Sequence, residues 1–208
     1  GGMFIMQKFN PDIILLDDAF QHRAIERDLD LILVNSGDKS FDHKLLPYGL
    51  LREPWMNINR GDAVILTKTN LKKPKPFLIR KIKESRLPIL HSTTHASLST
   101  LSPEKPDSIK KKKVFIVSAI GDSSGFNQTV KNLGCDIVGE KVFPDHFKYS
   151  QSDWKNTESL SAQVDYIITT EKDYVKIEHF SFTKPVIVVG IKIKIQPGKK
   201  LERLLIDL

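Results

Sequence analysis

The chain has 208 residues, 40% hydrophobic and 27% charged, enough for one sizeable core or two modest ones and too apolar for a disordered chain. Its net charge of +7 admits nucleic acid, an anionic membrane surface or a phosphorylated substrate, but the excess sits largely in local runs and selects none of them. The single cysteine, Cys135, excludes an internal disulfide framework and a cysteine-based zinc site and fits a reducing compartment, and no run approaches the ~20 apolar residues of a membrane span.

Residues 3–9 read as the end of a helix, stopped by the turn Asn10-Pro11-Asp12. The run Ile13-Ile14-Leu15-Leu16-Asp17-Asp18 then predicts a central parallel strand whose carboxyl end opens into a site. Apolar runs at 29–35 and 62–68 repeat the arrangement with room for crossovers, so the expected fold class is α/β with a parallel sheet. Between them lies a structured loop leading to a short helix. Residues 76–86 have helical periodicity and precede a short strand at 88–95.

The stretch 102–113 carries two prolines and a lysine run and marks the expected domain boundary. Residues 1–104 then form one domain, 105–113 a linker and 114–208 a second, smaller α/β domain. In that second part, a strand from Val114 ends in a glycine turn and is followed by a helix stopped by Gly134. A short strand, the loop 143–150, a polar helix from about Gln151, strands at 165–173 and 185–195, and a terminal helix complete the chain.

Several polar clusters fall at the ends of these strands. Asp17 and Asp18 stand where P-loop enzymes place the acid that holds magnesium or its water, although a solvated strand end or helix cap fits the bare pattern as well. Gln21, His22, Arg23, Arg27 and Asp28 follow directly. His22 suits proton transfer or phosphate donation, and Arg23 and Arg27 are spaced to pair with Glu26 and Asp28. In LLPYGLLREP, Arg52 can neutralise charge on a transferred phosphoryl group and Glu53 can ligate magnesium, or the two form a surface ion pair.

Asp145 and His146 lie in a loop flanked by aromatics, and a histidine beside a carboxylate suits general-base work. The hydroxyls and lysine of Ile168-Thr169-Thr170-Glu171-Lys172-Asp173 can touch a nucleotide, while a helix cap by Thr170 explains them nearly as well. His43, His91, His95 and His179 read as structural or solvated. No GxxxxGK[ST], GxGxxG, CxxC or HExxH occurs. A lysine run without interleaved aromatics argues against nucleic acid.

Six segments in order carry a family resemblance: LLDDAFQHRAIERDLD, LLPYGLLREP, ILTK, IGDSSGF, FPDHFKYS and ITTEKD. On these the chain resembles the tetraacyldisaccharide 4'-kinases, P-loop enzymes that phosphorylate a lipid A precursor. Ala19 stands where glycine is common, and the glycine turn departs further at Asp122 and Ser124. The resemblance implies a P-loop-kinase-like sheet, incomplete here, plus a second domain, with ATP and Mg2+ as cofactors. It places magnesium ligands at Asp17, Asp18 and Glu53, and catalytic roles at Asp18, Arg52 and His146. Gln21, His22, Thr170 and Lys172 become the nucleotide-contacting candidates.

It implies further that Gly1-Gly2 match the family's paired glycines and that the P-loop, a partner aspartate and a membrane helix lie ahead of them. The expected protein is a monomer at the cytoplasmic face of the inner membrane, acting on an acylated glucosamine disaccharide and not on nucleic acid, and the 208 residues alone are expected to be inactive. The alternative from another class is a non-catalytic module that binds nucleotide or anionic lipid.

Overall fold

A computed structural model describes residues 2–206; of the paired glycines, Gly1 lies outside them. Helix α1 spans Gly2–Phe9, where the sequence reads as the end of a helix ahead of the Asn10-Pro11-Asp12 turn, and none of its side chains is buried. Strand β1 (Leu31–Asn35), a 3-10 helix (Trp55–Arg60), β2 (Ala63–Thr67), α2 (Pro76–Glu84) and β3 (Ile89–Leu98) follow. After the 99–112 connection come β4 (Lys113–Ser118), α3 (Ser123–Lys131), β5 (Asp136–Val142), α4 (Gln151–Leu160), β6 (Tyr166–Thr170), α5 (Glu171–Ile177), β7 (Val186–Gln196) and α6 (Gly198–Ile206).

All seven strands join one sheet in the order β1-β2-β3-β7-β6-β4-β5. Every pair is parallel except β3 with β7, which run antiparallel over eight residue pairs, His91 with Gln196 through Leu98 with Val189. The fold class is therefore α/β with a mostly parallel sheet. The buried runs Ala63–Leu66 and Val114–Val117 show why: strands covered on both faces read as continuous apolar sequence. On one face, α2 and the 3-10 helix bring Leu78, Ile82 and Ile58 onto Val34, Val64 and Leu66, while α4 and α5 bring Trp154 and Ile177 onto Phe115, Val117 and Ile167. On the other, α3 packs Phe126 and Val130 against Val114, Ile116 and Ile168, and α6 packs Leu201 and Leu204 against Ala63, Ile65 and Leu90.

Two expectations change. Residues 13–18 form no strand, and Ile13 and Leu15 are 71% and 90% exposed. A strand needs a neighbour for its N–H and C=O groups, and among the described residues this run has none, since β1 pairs only with β2. The expected linker also holds structure: Ile109 is buried in the α3 core, Ser102 accepts from the Val188 amide, and Lys113 already belongs to β4.

The register also sets two groups of strand ends against each other. Strand β2 ends beside His91, and β6 ends beside Val189, the partner of Leu98. Because β3 and β7 are antiparallel, the carboxyl ends of β1 and β2 point toward those of β4 and β6. The intervening ribbon is on the order of 20 Å long at the usual strand rise.

Candidate functional site

Carboxyl ends of parallel strands are where open α/β sheets hold ligands, and most of the motif residues gather at or beside them. From the first half, Arg52 Nη1 donates to Asp18 Oδ2 at 2.9 Å and to Gln21 Oε1 at 3.2 Å, joining two motifs more than thirty positions apart. Both partners of the ion pair are largely exposed, and Asp18 adopts a left-handed φ of 51°, a conformation that costs a non-glycine residue about 1–2 kcal/mol.

Beside this cluster lies a cleft of about 210 Å3, lined by Phe20, Gln21, Val34, Leu51, Arg52 and Trp55 among others. His43 closes its inner side, buried between Trp55 and Phe77 with Nε2 3.1 Å from Asp38 Oδ2. The reading of His43 as structural fits this packing.

From the second half, the loop after β5 presents Asp145 and His146. Lys172 Nζ donates to Asp145 Oδ1 at 3.1 Å, and the same oxygen accepts from the His146 amide. His146 Nε2 stands 3.7 Å from Asp145 Oδ2, with φ again left-handed at 61°. The bond from Lys172, with the His146 amide and the neighbouring charges, holds the Asp145 carboxyl below its ordinary value. The glycine turn touches this group: a Cβ on Gly121 would lie 3.6 Å from Asp145 Oδ2.

A lysine, a carboxylate and an imidazole thus stand side by side. No hydrogen bond or ion pair joins this cluster directly to the Asp18 cluster among the described residues.

The other candidates separate. Glu53 does not gather with Asp17 and Asp18: its two oxygens accept from Arg60 at 2.6 Å and Asn57 at 2.7 Å, and no three acidic, histidine or cysteine side chains come close enough to hold a metal among the described residues. Magnesium commonly needs only one or two carboxylates beside substrate phosphates, a requirement that Asp17 and Asp18 satisfy in donor type. Arg27 pairs with Asp30 at 2.8 Å rather than with its expected neighbours, because its guanidinium also ties off the His22 and Ile25 carbonyls. His22 lies in a turn, its amide donating to the Ala19 carbonyl. Thr170 takes the role of helix cap, accepting from the Asp173 amide at 3.0 Å.

Three residues singled out for no role organise the site. Asp173 is fully buried and accepts from the Ala119 amide, the Thr170 hydroxyl and Lys176 at 2.9–3.0 Å, tying the glycine turn to the start of α5. Its spacing from Thr170 is a capping-box pattern readable in the sequence. Burial, then the facing Asp173 charge, pushes the Tyr149 phenol far above its usual pKa. Lys68, at the end of β2, pairs with Asp122. No local signal connects two residues 54 positions apart.

A sheet whose two groups of parallel strands end face to face over polar loops belongs to the α/β class, in which ligands commonly sit at strand ends. Comparison with known proteins narrows it. The profile of the family described as Tetraacyldisaccharide-1-P 4'-kinase matches residues 1–208, and the chain belongs to that family. Curated tetraacyldisaccharide 4'-kinases are similar at 32% identity in Aquifex aeolicus (99% of this chain, 60% of the relative), 33% in Bdellovibrio bacteriovorus (84% and 53%) and 34% in Chlorobaculum parvum (85% and 51%). A crystal structure of the "apo" form LpxK from Aquifex aeolicus in complex with ATP superposes with a TM-score of 0.72 at 31% identity, covering all of this chain and 61% of the other. The chain spans roughly half to three-fifths of the length of these relatives. No helix among the described residues is long and apolar enough to cross a membrane.

Proposed function

We propose that this chain forms the larger part of an ATP-dependent kinase that transfers the γ-phosphate to the 4'-hydroxyl of a tetraacylated glucosamine disaccharide 1-phosphate in lipid A synthesis, as a monomer working at the cytoplasmic face of a membrane. The observation that carries the reading is the meeting of Asp18, Gln21 and Arg52 from separate motifs in a chain of this family. Arg52 is suited to stabilise charge on the phosphoryl group as it moves.

His146, oriented by its loop and flanked by Asp145, is suited to accept the proton of the acceptor hydroxyl. Gln21, His22 and Lys172 are proposed to face the nucleotide, with Thr170, engaged as the α5 cap, holding Lys172 in place behind them. Magnesium, arriving with the phosphates, would be held by Asp17 and Asp18, with Glu53 joining once released from Arg60 and Asn57; it would neutralise phosphate charge.

The division into residues 1–104 and 114–208 is proposed as a functional one across a shared sheet, each half bringing one cluster. By themselves the 208 residues are proposed to turn over little or not at all. Their sequence holds no GxxxxGK[ST], and phosphoryl transfer depends on cradling the phosphates.

Radiolabelled phosphate transfer tests this, in a form of the protein that also carries a P-loop. Asp18→Ala and Arg52→Ala should each lower turnover by about 10²–10³-fold, the usual loss for a missing electrostatic group, while adsorption to lipid vesicles stays unchanged. Full turnover in either variant would remove the named residue from the mechanism. Absence of any transfer in the unsubstituted form would leave the alternative of a binding module.

A further inference from the structure

Between the facing strand ends, one ion pair crosses from the first half to the second among the described residues, Lys68 with Asp122. Each partner is held in place from its own side. Lys68 follows the last residue of β2 in a left-handed conformation, φ 59°, and the adjoining turn is fastened to β3: Thr69 donates to the Ser92 carbonyl, and Asn70 donates to the Thr94 carbonyl and accepts from the Thr94 amide.

Asp122 is the N-cap of α3. Its Oδ1 accepts from the Gly125 amide at 2.9 Å and the Ser124 hydroxyl at 3.1 Å, leaving Oδ2 for Lys68. Gly125 makes room for that carboxylate, because a Cβ there would come within 2.4 Å of Asp122 Oδ2. One residue before Asp122, Gly121 abuts Asp145, so the pair bears on the loop that carries His146. Elsewhere the halves are joined by the β3–β7 ribbon, an element that twists readily, and by apolar packing on one face of the sheet, where α6 meets Ala63, Ile65 and Leu90 and where Ala96 and Leu98 meet the α3 core.

We infer that Lys68 and Asp122 are positioning residues for the proposed transfer: their ion pair fixes how far apart the two groups of strand ends stand, and so the gap over which phosphate and acceptor must meet. The inference rests on the kinase reading only for its consequence, since the spacing itself is a property of the chain. Loss of the pair removes the ion pair that crosses the crevice and leaves the ribbon, with the packing of α6 and α3 behind it, to hold the two halves, and the crevice samples wider states. Asparagine caps helices as well as aspartate does, so Asp122→Asn removes the ion pair and keeps α3 intact. Lys68→Arg keeps the cation.

The test is a distance measurement by double electron–electron resonance. Spin labels at Lys83→Cys on α2 and Lys155→Cys on α4, both exposed, are read in a Cys135→Ser background. The unsubstituted pair should give one narrow distribution, broadening when salt rises from about 0.05 to about 1 M as screening weakens the contact. Lys68→Met and Asp122→Asn should give the broad distribution at both salt levels, the double variant no broader than either, and Lys68→Arg the narrow one.

Distributions in Lys68→Met and Asp122→Asn that match the unsubstituted protein at low salt would overturn the inference. So would broadening in Lys68→Arg equal to that in Lys68→Met. In the form carrying a P-loop, kcat should fall at least tenfold in Asp122→Asn while the protein remains folded, and should stay near the unsubstituted value in Lys68→Arg. Broad distances with undiminished kcat would overturn the positioning role. Because the distances need neither nucleotide nor acceptor, failure of the kinase reading shows as absent transfer with the predicted distances intact.

Discussion

Replacing Asp173 by alanine should cost more stability than any exposed substitution in the site. Its carboxylate is fully buried and holds three donors: the Ala119 amide at 2.9 Å, the Thr170 hydroxyl at 2.9 Å and the Lys176 ammonium at 3.0 Å. Alanine strands a buried amide and a buried hydroxyl, each costing about 1–3 kcal/mol when left unpaired, and releases Lys176, which is partly exposed and can turn to water; together this amounts to about 2–5 kcal/mol. Against a typical total stability of about 5–15 kcal/mol this is a large share. Asparagine keeps an acceptor for the amide and hydroxyl and forfeits the charge, for a loss nearer 1–3 kcal/mol, the range for a weakened bond to a charged group.

Urea unfolding followed by tryptophan fluorescence reads both, since Trp154 lies in the same core as Ile177 of α5. The Tyr149 phenol supplies a second reading, because its pKa is raised in part by the Asp173 charge. In Asp173→Asn it should titrate at lower pH. An alanine variant within about 1 kcal/mol of the unsubstituted protein, at equal m-value, would refute the view that this carboxylate fastens the glycine turn to α5.

Leu66→Ala, at a fully buried position in β2, should destabilise by about 2–5 kcal/mol in the same assay. Ser150→Ala removes the capping box it forms with Asp153 at the start of α4 and should cost about 1 kcal/mol. Acid titration should expose Asp122, whose carboxyl burial alone would raise but which the Lys68 bond, the Gly125 amide and the lysine charge bring down to about 2. A folded-state pKa below the unfolded one means that this stabilisation is complete above about pH 4–5 and lost as pH falls toward 2. Asp122→Asn should therefore flatten that part of the stability–pH curve, and an unchanged acid limb would contradict the assignment.

How much of this was legible beforehand follows from how local each signal is. The runs at 63–66 and 114–117 announce themselves because a strand buried on both faces must be apolar throughout. The start of α4 is written in Ser150 and the residues after it, and the cap at Thr170 in its spacing to Asp173. The run at 13–16 looks the same by composition, yet strand formation depends on a neighbouring strand, and composition does not say whether one is present.

Nor does the alternation of isoleucine and lysine in 191–195 name its partner. That β7 returns antiparallel to β3 is a fact about residues about a hundred positions apart. At the candidate site, the motifs fall in loops beside strand ends, but which carboxylate meets which cation was decided by contacts between elements. Glu53 turned to Arg60, and Lys68 found Asp122.

Helix α6 has a consequence for how the molecule assembles. It comes after β7 in sequence, yet its Leu201 and Leu204 cover Ala63, Ile65 and Leu90 of the first half. During synthesis those early strands have one greasy side bare until more than a hundred further residues have left the ribosome. Closing so long a loop is slow, and a nascent chain in that interval is open to misassembly. Cutting the chain after β7, even well outside the crevice, would leave that side permanently uncovered and hand the product to chaperones and proteases.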